Sequence, residues 1–225
     1  MKPAIVEKTQ KAIQSISTMD CIKPYYLAGG TALSLQIHHR LSEDLDFMRW
    51  QKQKNEKMLV DVKNISAELK ERNHVINSID ILEHNQVEFL IDDGVKVSFY
   101  APEKREPSIK TVPFLNNINL LDTSTIASLK MELLLRRSYF RDYYDLYFIL
   151  KDKTSEEVIA IIDNALKYSG HILKSKNLIG KLLNYEQFTP DAEFRNLEPK
   201  SQISAKEIAL FMEETVKLPF IQRNT

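Results

Sequence analysis

Tyr25-Tyr26-Leu27-Ala28-Gly29-Gly30-Thr31-Ala32-Leu33, then His38-His39-Arg40, Ser42 and Asp44-Leu45-Asp46-Phe47, is the stretch that decides how this chain is read. Tyr25 to Ala28 is a short apolar run with the character of a strand. Thr31 to His39 reads as a helix opened by the glycine pair, and Asp44 to Phe47 as a second strand. Side chains alternate along a strand, so Asp44 and Asp46 share one face while Leu45 and Phe47 turn to the core. Two carboxylates about 6 to 7 Å apart along a strand can flank a hard cation with oxygen ligands. A Gly-Gly-Thr turn at a helix start offers backbone N–H groups and the positive end of the helix dipole to phosphate. Glycine also lets a ligand approach the backbone closely. A phosphate cradle beside metal-binding carboxylates is what phosphoryl or nucleotidyl transfer requires. The plainer alternatives are a strand-to-helix turn that merely needs glycine, and two solvated aspartates beside it.

Outward from this stretch, Ile5, Val6, Thr9, Ala12, Ile13 and Ile16 recur at helical spacing and predict a first amphipathic helix over 3–17. Gln51 to Arg72, with Met58, Leu59, Val62, Ile65 and Leu69 on one stripe, reads as a surface helix. The period then changes to two. His74–Glu83, Val87–Ile91 and Val95–Tyr100 are predicted strands, the last pair joined by the hairpin signal Asp92-Asp93-Gly94. Pro102, Pro107 and Pro113 punctuate a loop region. From Asp122 onward the pattern is helical: one helix capped by Asp122, Thr123 or Ser124, with apolar positions recurring to Leu150. Thr154 or Ser155 opens Val158–Tyr168, and shorter helices follow at Ser175–Leu183 and Ser204–Lys217. The predicted boundary separates residues 1–118 from 119–225.

Composition narrows the partners. Of 225 residues, 43% are hydrophobic, enough for a proper core, and Lys+Arg and Asp+Glu both number 31. No global field draws the protein to nucleic acid or an anionic membrane, so a polynucleotide must be held by a local basic patch. One cysteine, Cys21, excludes an intrachain disulfide framework and a four-cysteine zinc site. No run approaches the ~20 apolar residues of a membrane span, and no basic segment leads into an apolar signal region. A cytoplasmic protein is the expectation.

A second cluster lies in the helical half: Ser128-Leu129-Lys130-Met131-Glu132, Arg137, and Arg141-Asp142-Tyr143-Tyr144-Asp145. Asp142 and Asp145 share a helix face, and Arg141 and Asp145 form an i,i+4 pair. They position a ligand or lock the helix to the core; Lys130 binds phosphate or is a solvated helix lysine. Arg40 contacts phosphate, braces an aspartate or forms a structural ion pair. Tyr139, Phe140, Tyr143, Tyr144, Tyr147 and Phe148 suit a core better than a base-stacking platform. His38 and His39 point about 100° apart on a helix, which disfavours a shared metal.

The ordered set, Gly-Gly-Thr-Ala-Leu, His-Arg, Ser, Asp-Leu-Asp-Phe, then a lysine-bearing helix and Arg-Asp-x-x-Asp-Leu, resembles the AbiEii/MenT-type nucleotidyltransferase toxins of the polymerase-β-like superfamily. The likeness covers about residues 20 to 150. It implies an α+β fold: a small nucleotidyltransferase core, with a mixed β-sheet and flanking helices, plus a helical C-terminal bundle contributing Lys130 and Arg141 to Asp145. It implies Mg²⁺ (or Mn²⁺) on Asp44 and Asp46, and an NTP held by Gly29, Gly30, Thr31, Arg40, Ser42 and Arg141. Lys130, Asp142 and Asp145 complete the catalytic set. The acceptor implied is RNA such as a tRNA 3′ end, and the setting a toxin–antitoxin or phage-defence pair with a cognate antitoxin. One position departs from the superfamily pattern. The third carboxylate expected on a later strand falls on Ser98, with Glu88 or Asp80 on neighbouring strands as substitutes. Two rivals follow: a degenerate module that binds nucleotide or RNA without turnover, and a kinase-like phosphotransferase acting on a protein.

Overall fold

Period-two alternation builds the N-terminal unit. In β2 (Leu45–Met48) and β5 (Val95–Tyr100) every second side chain is buried: Leu45 and Phe47 in one, Val95, Val97 and Phe99 in the other. Their neighbours Asp46, Lys96 and Ser98 therefore emerge on the opposite face. The computed structural model, which describes residues 3–105, 108–189 and 194–223, pairs the two strands in parallel. Leu45 stands opposite Val97, Asp46 opposite Ser98 and Phe47 opposite Phe99. With β1 (Tyr26–Leu27), β3 (Ile76–Glu83), β4 (Gln86–Ile91), β6 (Thr111–Leu115) and β7 (Ile118–Leu121) they form a seven-stranded mixed sheet in the order β3-β4-β5-β2-β1-β7-β6. The β1/β7 pair is also parallel; the remaining pairs are antiparallel.

Phe99 is the centre of the core. Its ring stacks on Phe47 at 5.3 Å and meets the edges of Tyr25 at 5.3 Å and Phe89 at 5.9 Å. Helix α1 (Glu7–Ile16) buries Thr9, Ala12, Ile13 and Ile16, α2 (Gly29–Ile37) buries Ala32 and Leu33, and α3 (Val62–Glu71) buries Ile65 and Leu69. A polar relay ties α1 to the sheet: Ser15 Oγ lies 2.6 Å from His74 Nε2, and His74 Nδ1 lies 2.6 Å from Asp92 Oδ2. Ser15 also donates to the Ala12 carbonyl of its own helix, and Asp92 also accepts from the Val75 N–H. The relay is a brace between elements.

The chain divides into two compact units, residues 1–122 and 123–225. The second is helical: α4 (Thr123–Leu133), α5 (Phe140–Leu150), α6 (Ser155–Tyr168), α7 (Ser175–Leu183), α8 (Ala205–Met212) and α9 (Leu218–Arg223). Its core is aromatic. Tyr143 stacks on Phe188 at 3.6 Å, and Tyr144 meets Phe148 and Phe194, each at 4.8 Å. Tyr147 packs on Phe211 at 4.7 Å. Only Tyr139 among the six aromatics named above is exposed as a large hydrophobic, flanked by the guanidinium groups of Arg137 and Arg141 at 5.2 and 5.6 Å. No helix among the described residues is long and apolar enough to cross a membrane.

The α+β class read from the sequence is the one observed, with four corrections to its elements. The predicted helix over Gln51–Arg72 exists only from Val62, where the Asp61 carboxylate caps it by accepting from the Asn64 N–H at 3.0 Å. Before it, the Glu56 side chain accepts from the backbone N–H of Lys52 and Gln53, which closes a turn in place of a helix. The proline-marked loop contains β6 and β7. Pro113 sits in β6, an edge strand, where a missing N–H costs no ladder bond; Pro107 lies outside the described residues. The single helix predicted to Leu150 is broken between Leu133 and Phe140, where the Phe140 N–H donates to the Thr189 carbonyl instead of to a preceding turn. The helix predicted over Ser204–Lys217 is likewise regular only to Met212, followed by a five-residue π-helical stretch, Glu213–Lys217, before α9. Phe99→Ala should lower the stability of the N-terminal unit by about 3–5 kcal/mol, read from urea unfolding with the denaturant slope unchanged.

Candidate functional site

Gly29 starts α2 with φ +65°, and a Cβ built there would lie 2.4 Å from Asp46 Oδ2. A Cβ at Gly30 would lie 2.5 Å from Arg40 Nη2 and 3.1 Å from Ser42 Oγ. Gly29 is required by its positive φ and by the Asp46 side chain on its backbone, and Gly30 leaves room for the Arg40 guanidinium and the Ser42 hydroxyl. The helix begins at Gly29, two residues before the predicted start, and ends at Ile37, where His38 turns left-handed at φ 49°. That turn reverses the chain and brings Arg40 and Ser42 back over the helix start.

Thr31 completes the junction from inside. Its hydroxyl donates to the Asp44 carbonyl oxygen and lies 2.9 Å from Ser42 Oγ. The Ala28 N–H donates to the Asp46 carbonyl at 2.8 Å, and Arg40 Nη1 donates to the Leu41 carbonyl at 2.9 Å. Thr31, Arg40 and Ser42 are all buried. Thr31, wholly inaccessible, acts as a bolt beneath the site and touches nothing outside the protein.

Asp46 is on β2; Asp44, the first residue of the predicted strand, falls one residue before the observed one. Both are partly exposed. Lys96, to which the sequence assigned no role, reaches Asp44: Nζ lies 3.2 Å from Oδ2. Burial works against the charge on Lys96, but Asp44, Glu88 and Asp46 together outweigh it and raise the ammonium pKa above its usual value. The row of cross-strand neighbours explains this grouping. Ser98 of β5 stands opposite Asp46, Glu88 of β4 opposite Ser98, and Asp80 of β3 opposite Glu88. At about 4.8 Å per strand, Glu88 is about 10 Å from Asp46 in backbone position and Asp80 about 14 Å. Glu88 is thus the nearer acid and Asp80 too remote. Lys96 could have been found in the sequence only by knowing that β5 pairs with β2.

Asp44 and Asp46 supply hard oxygen ligands, and Asp44 already faces a cationic group. Among the described residues no group of three or more His, Cys, Asp or Glu is placed to hold a metal. Two carboxylates with the remaining positions left to phosphate oxygens and water are a set that suits Mg²⁺. Cys21 offers no thiolate alternative: burial, with Glu68 adding to it, pushes its thiol up to about 12.

In the helical unit the second cluster is a buried charge network. Lys130 Nζ lies 2.9 Å from Asp142 Oδ1 and 2.7 Å from Asp145 Oδ2, both aspartates fully buried. Arg137, quoted in the sequence motif without a role, donates through Nε to Asp142 Oδ2 at 2.9 Å and through Nη2 to Oδ1 at 3.1 Å. Lys130 is therefore not a solvated helix lysine; it clamps α4 to α5. Burial alone would raise the Asp142 pKa, but Lys130 and Arg137 overcome it and hold the carboxyl below its ordinary value. Arg141 is half-buried and shares Tyr139 with Arg137.

A model of the AbiEii family, described as nucleotidyl transferase AbiEii toxin of type IV toxin–antitoxin systems, matches residues 13–219. The chain belongs to the AbiEii family. Both the Gly-Gly-Thr to Asp-Leu-Asp junction and the Lys130 network lie inside that match. An uncharacterized protein, aq_aa25 of Aquifex aeolicus, is 30% identical over 151 residues, 64% of this chain. The match spans 66% of that relative's length, just under two thirds. A candidate nucleotidyltransferase from H. pylori superposes with a TM-score of 0.57 at 18% identity, covering 97% of both chains. JHP933 from Helicobacter pylori gives 0.55 at 18%, covering 98% of this chain and 95% of its own. At that identity these two show a shared fold. Family and fold are those of nucleotidyltransferases.

The geometry makes two predictions. Gly29→Ala incurs backbone strain and the clash with Asp46, whereas Gly94→Ala, at φ +86° with nothing nearer than Lys8 Nζ at 3.9 Å, incurs strain alone. Gly29→Ala should be the more destabilising by about 1–3 kcal/mol, compared by urea midpoints. Because the native pKa of Asp142 is depressed, its stabilisation is present above the ordinary carboxylate range and lost as pH falls through the lower native value. Asp142→Asn should cost about 3–5 kcal/mol at neutral pH and weaken the loss of stability below about pH 4, measured by thermal melts across pH.

Proposed function

We propose that this AbiEii-family chain is a Mg²⁺-dependent nucleotidyltransferase that moves NMP from an NTP to an RNA acceptor such as a tRNA 3′ end. The observation that carries the reading is the junction holding Asp46 on Gly29 and Arg40 with Ser42 on Gly30. It sets the Asp46 carboxylate and the buried Arg40 guanidinium at the start of one helix, with Asp44 two residues before Asp46. Asp44 and Asp46 would hold the divalent ion, which when bound neutralises triphosphate charge and stabilises the leaving pyrophosphate. The Gly29–Gly30 backbone at the α2 start favours a phosphate oxygen, with Arg40 supplying a planar donor beside it. Thr31 and Ser42 keep that turn rigid. Lys96 is exposed enough to exchange its Asp44 contact for a phosphate, since such an ion pair is worth only about 0.2–1 kcal/mol.

By family resemblance Lys130, Arg141, Asp142 and Asp145 serve the nucleotide. The pairing of Lys130 with Asp142 and Asp145 supports a pre-set geometry that positions a ligand without reorganising. The wider reading is a cytoplasmic toxin with a cognate antitoxin. A second reading, a module that binds nucleotide or RNA without turnover, is favoured by Ser98 opposite Asp46: a hydroxyl cannot replace carboxylate base assistance, worth about 10²–10⁴-fold. Glu88, one strand further, is the side chain that could restore it.

Incubation with Mg²⁺, bulk tRNA and each α-labelled NTP tests the proposal. Label should pass to RNA with the wild type and fall by about 10²-fold or more with Asp44→Ala. Unchanged transfer by Asp44→Ala refutes the assignment. Binding without transfer supports the second reading, and transfer of γ-label to protein supports a kinase.

A further inference from the structure

Beyond the aspartates, the same sheet face carries a basic cavity. It has a volume of about 510 Å³ and is lined by Tyr26, Gln51, Lys52, Lys54 and Arg105. Tyr26 stands opposite Met48 on β2, two residues beyond Asp46 and on its side of the sheet. In backbone position Tyr26 is thus on the strand next to Asp46 and one step of about 6–7 Å further along. The ring leans on the buried Trp50 at 6.3 Å, which keeps it in place beside the cavity.

Two acids near the cavity are turned to other partners. The loop over 51–57 has one acid, Glu56, and its carboxylate turns to Arg49 at 3.0 Å and to the Lys52 and Gln53 N–H groups. On the other wall Glu103 turns to His84 at 3.2 Å. The two walls are joined by the Gln51–Arg105 bridge and by the Gln51 N–H donating to the Lys104 carbonyl at 3.1 Å. Among the described residues no carboxylate pairs with Lys52, Lys54 or Arg105. In a chain with 31 basic and 31 acidic residues, three cations lining one cavity, none of them paired with a carboxylate among the described residues, form the local field that a polyanion needs.

We infer that the Tyr26–Lys52–Lys54–Arg105 cavity binds the acceptor RNA, its three cations on successive phosphodiesters and Tyr26 stacked on an unpaired base near the 3′ end. This rests on the transferase reading for the name of the ligand, and its test reads binding instead of turnover. Phosphates hold and steer a strand without regard to sequence, and an aromatic face accepts any base. A flat acidic protein surface would use the cations but not the ring, so the ring distinguishes the ligand.

The experiment is fluorescence anisotropy of a labelled RNA hairpin with a single-stranded 3′ tail, without NTP or divalent metal, across salt concentrations. Wild-type protein is compared with Lys52→Ala/Lys54→Ala/Arg105→Ala, Tyr26→Ala and Tyr26→Phe, each checked by circular dichroism and melting. The triple variant should bind about 10- to 100-fold more weakly and lose about 2 from the slope of log K against log salt. Tyr26→Ala should bind about 5- to 100-fold more weakly while Tyr26→Phe, which keeps the ring, stays within about 2-fold. Unchanged affinity and slope in the triple variant overturn the proposal. Loss of slope with Tyr26→Ala silent also overturns it, because the cavity then holds any polyanion. Dependence on the cavity in a protein that transfers no label would refute the transferase reading alone.

Discussion

The Asp46 carboxylate lies so close to Gly29 that a single methyl group between them would destroy the contact. Everything at the site depends on that approach. It is held from three sides: the Ala28 N–H on the Asp46 carbonyl, Thr31 on the Asp44 carbonyl, and the aromatic face of β2 pressed into the core through Phe47 and Phe99. Because Leu45 and Phe47 must be inside, Asp46 must be outside. The acid is therefore aimed by the hydrophobic core, and the helix start is brought to it by glycine.

Charge at the site is balanced locally in a chain that is neutral overall. Lys96 stands among Asp44, Asp46 and Glu88 and offsets part of their mutual repulsion before any ligand arrives. An ion pair this exposed is weak, so the lysine can yield to a stronger cation without a large penalty. The network of Lys130, Arg137, Asp142 and Asp145 is the opposite case. Its aspartates are wholly buried, and removing one partner strands an uncompensated charge. One cluster is partly exposed and weakly paired; the other is buried and tightly paired.

The residues gathered at the start of α2 were legible in the sequence; their partners were less so. Gly29, Asp46 and the Asp-Leu-Asp alternation could be read because they obey local rules of turn and pleat. Lys96, Arg137 and the cross-strand order Asp46–Ser98–Glu88 could not, because they depend on which strands and helices pair, and pairing is a long-range property. The failures of element reading have similar causes. Glu56 spends its side chain on backbone N–H groups and ends a helical pattern that periodicity alone would extend. Pro113 reads as a loop residue until β6 is known to be an edge strand. The break before Phe140 is satisfied by Thr189, far along the chain.

The central claim is that Asp44 and Asp46 hold a divalent ion against a nucleoside triphosphate at the start of α2. A crystal structure with Mn²⁺ and a non-hydrolysable NTP analogue, read by anomalous scattering, tests it most directly. The account predicts an anomalous peak bonded to both carboxylates, phosphate oxygens at the Gly29–Gly30 turn, and Lys96 Nζ withdrawn from Asp44. An intact Lys96–Asp44 pair, with the metal and triphosphate bound elsewhere, would contradict it.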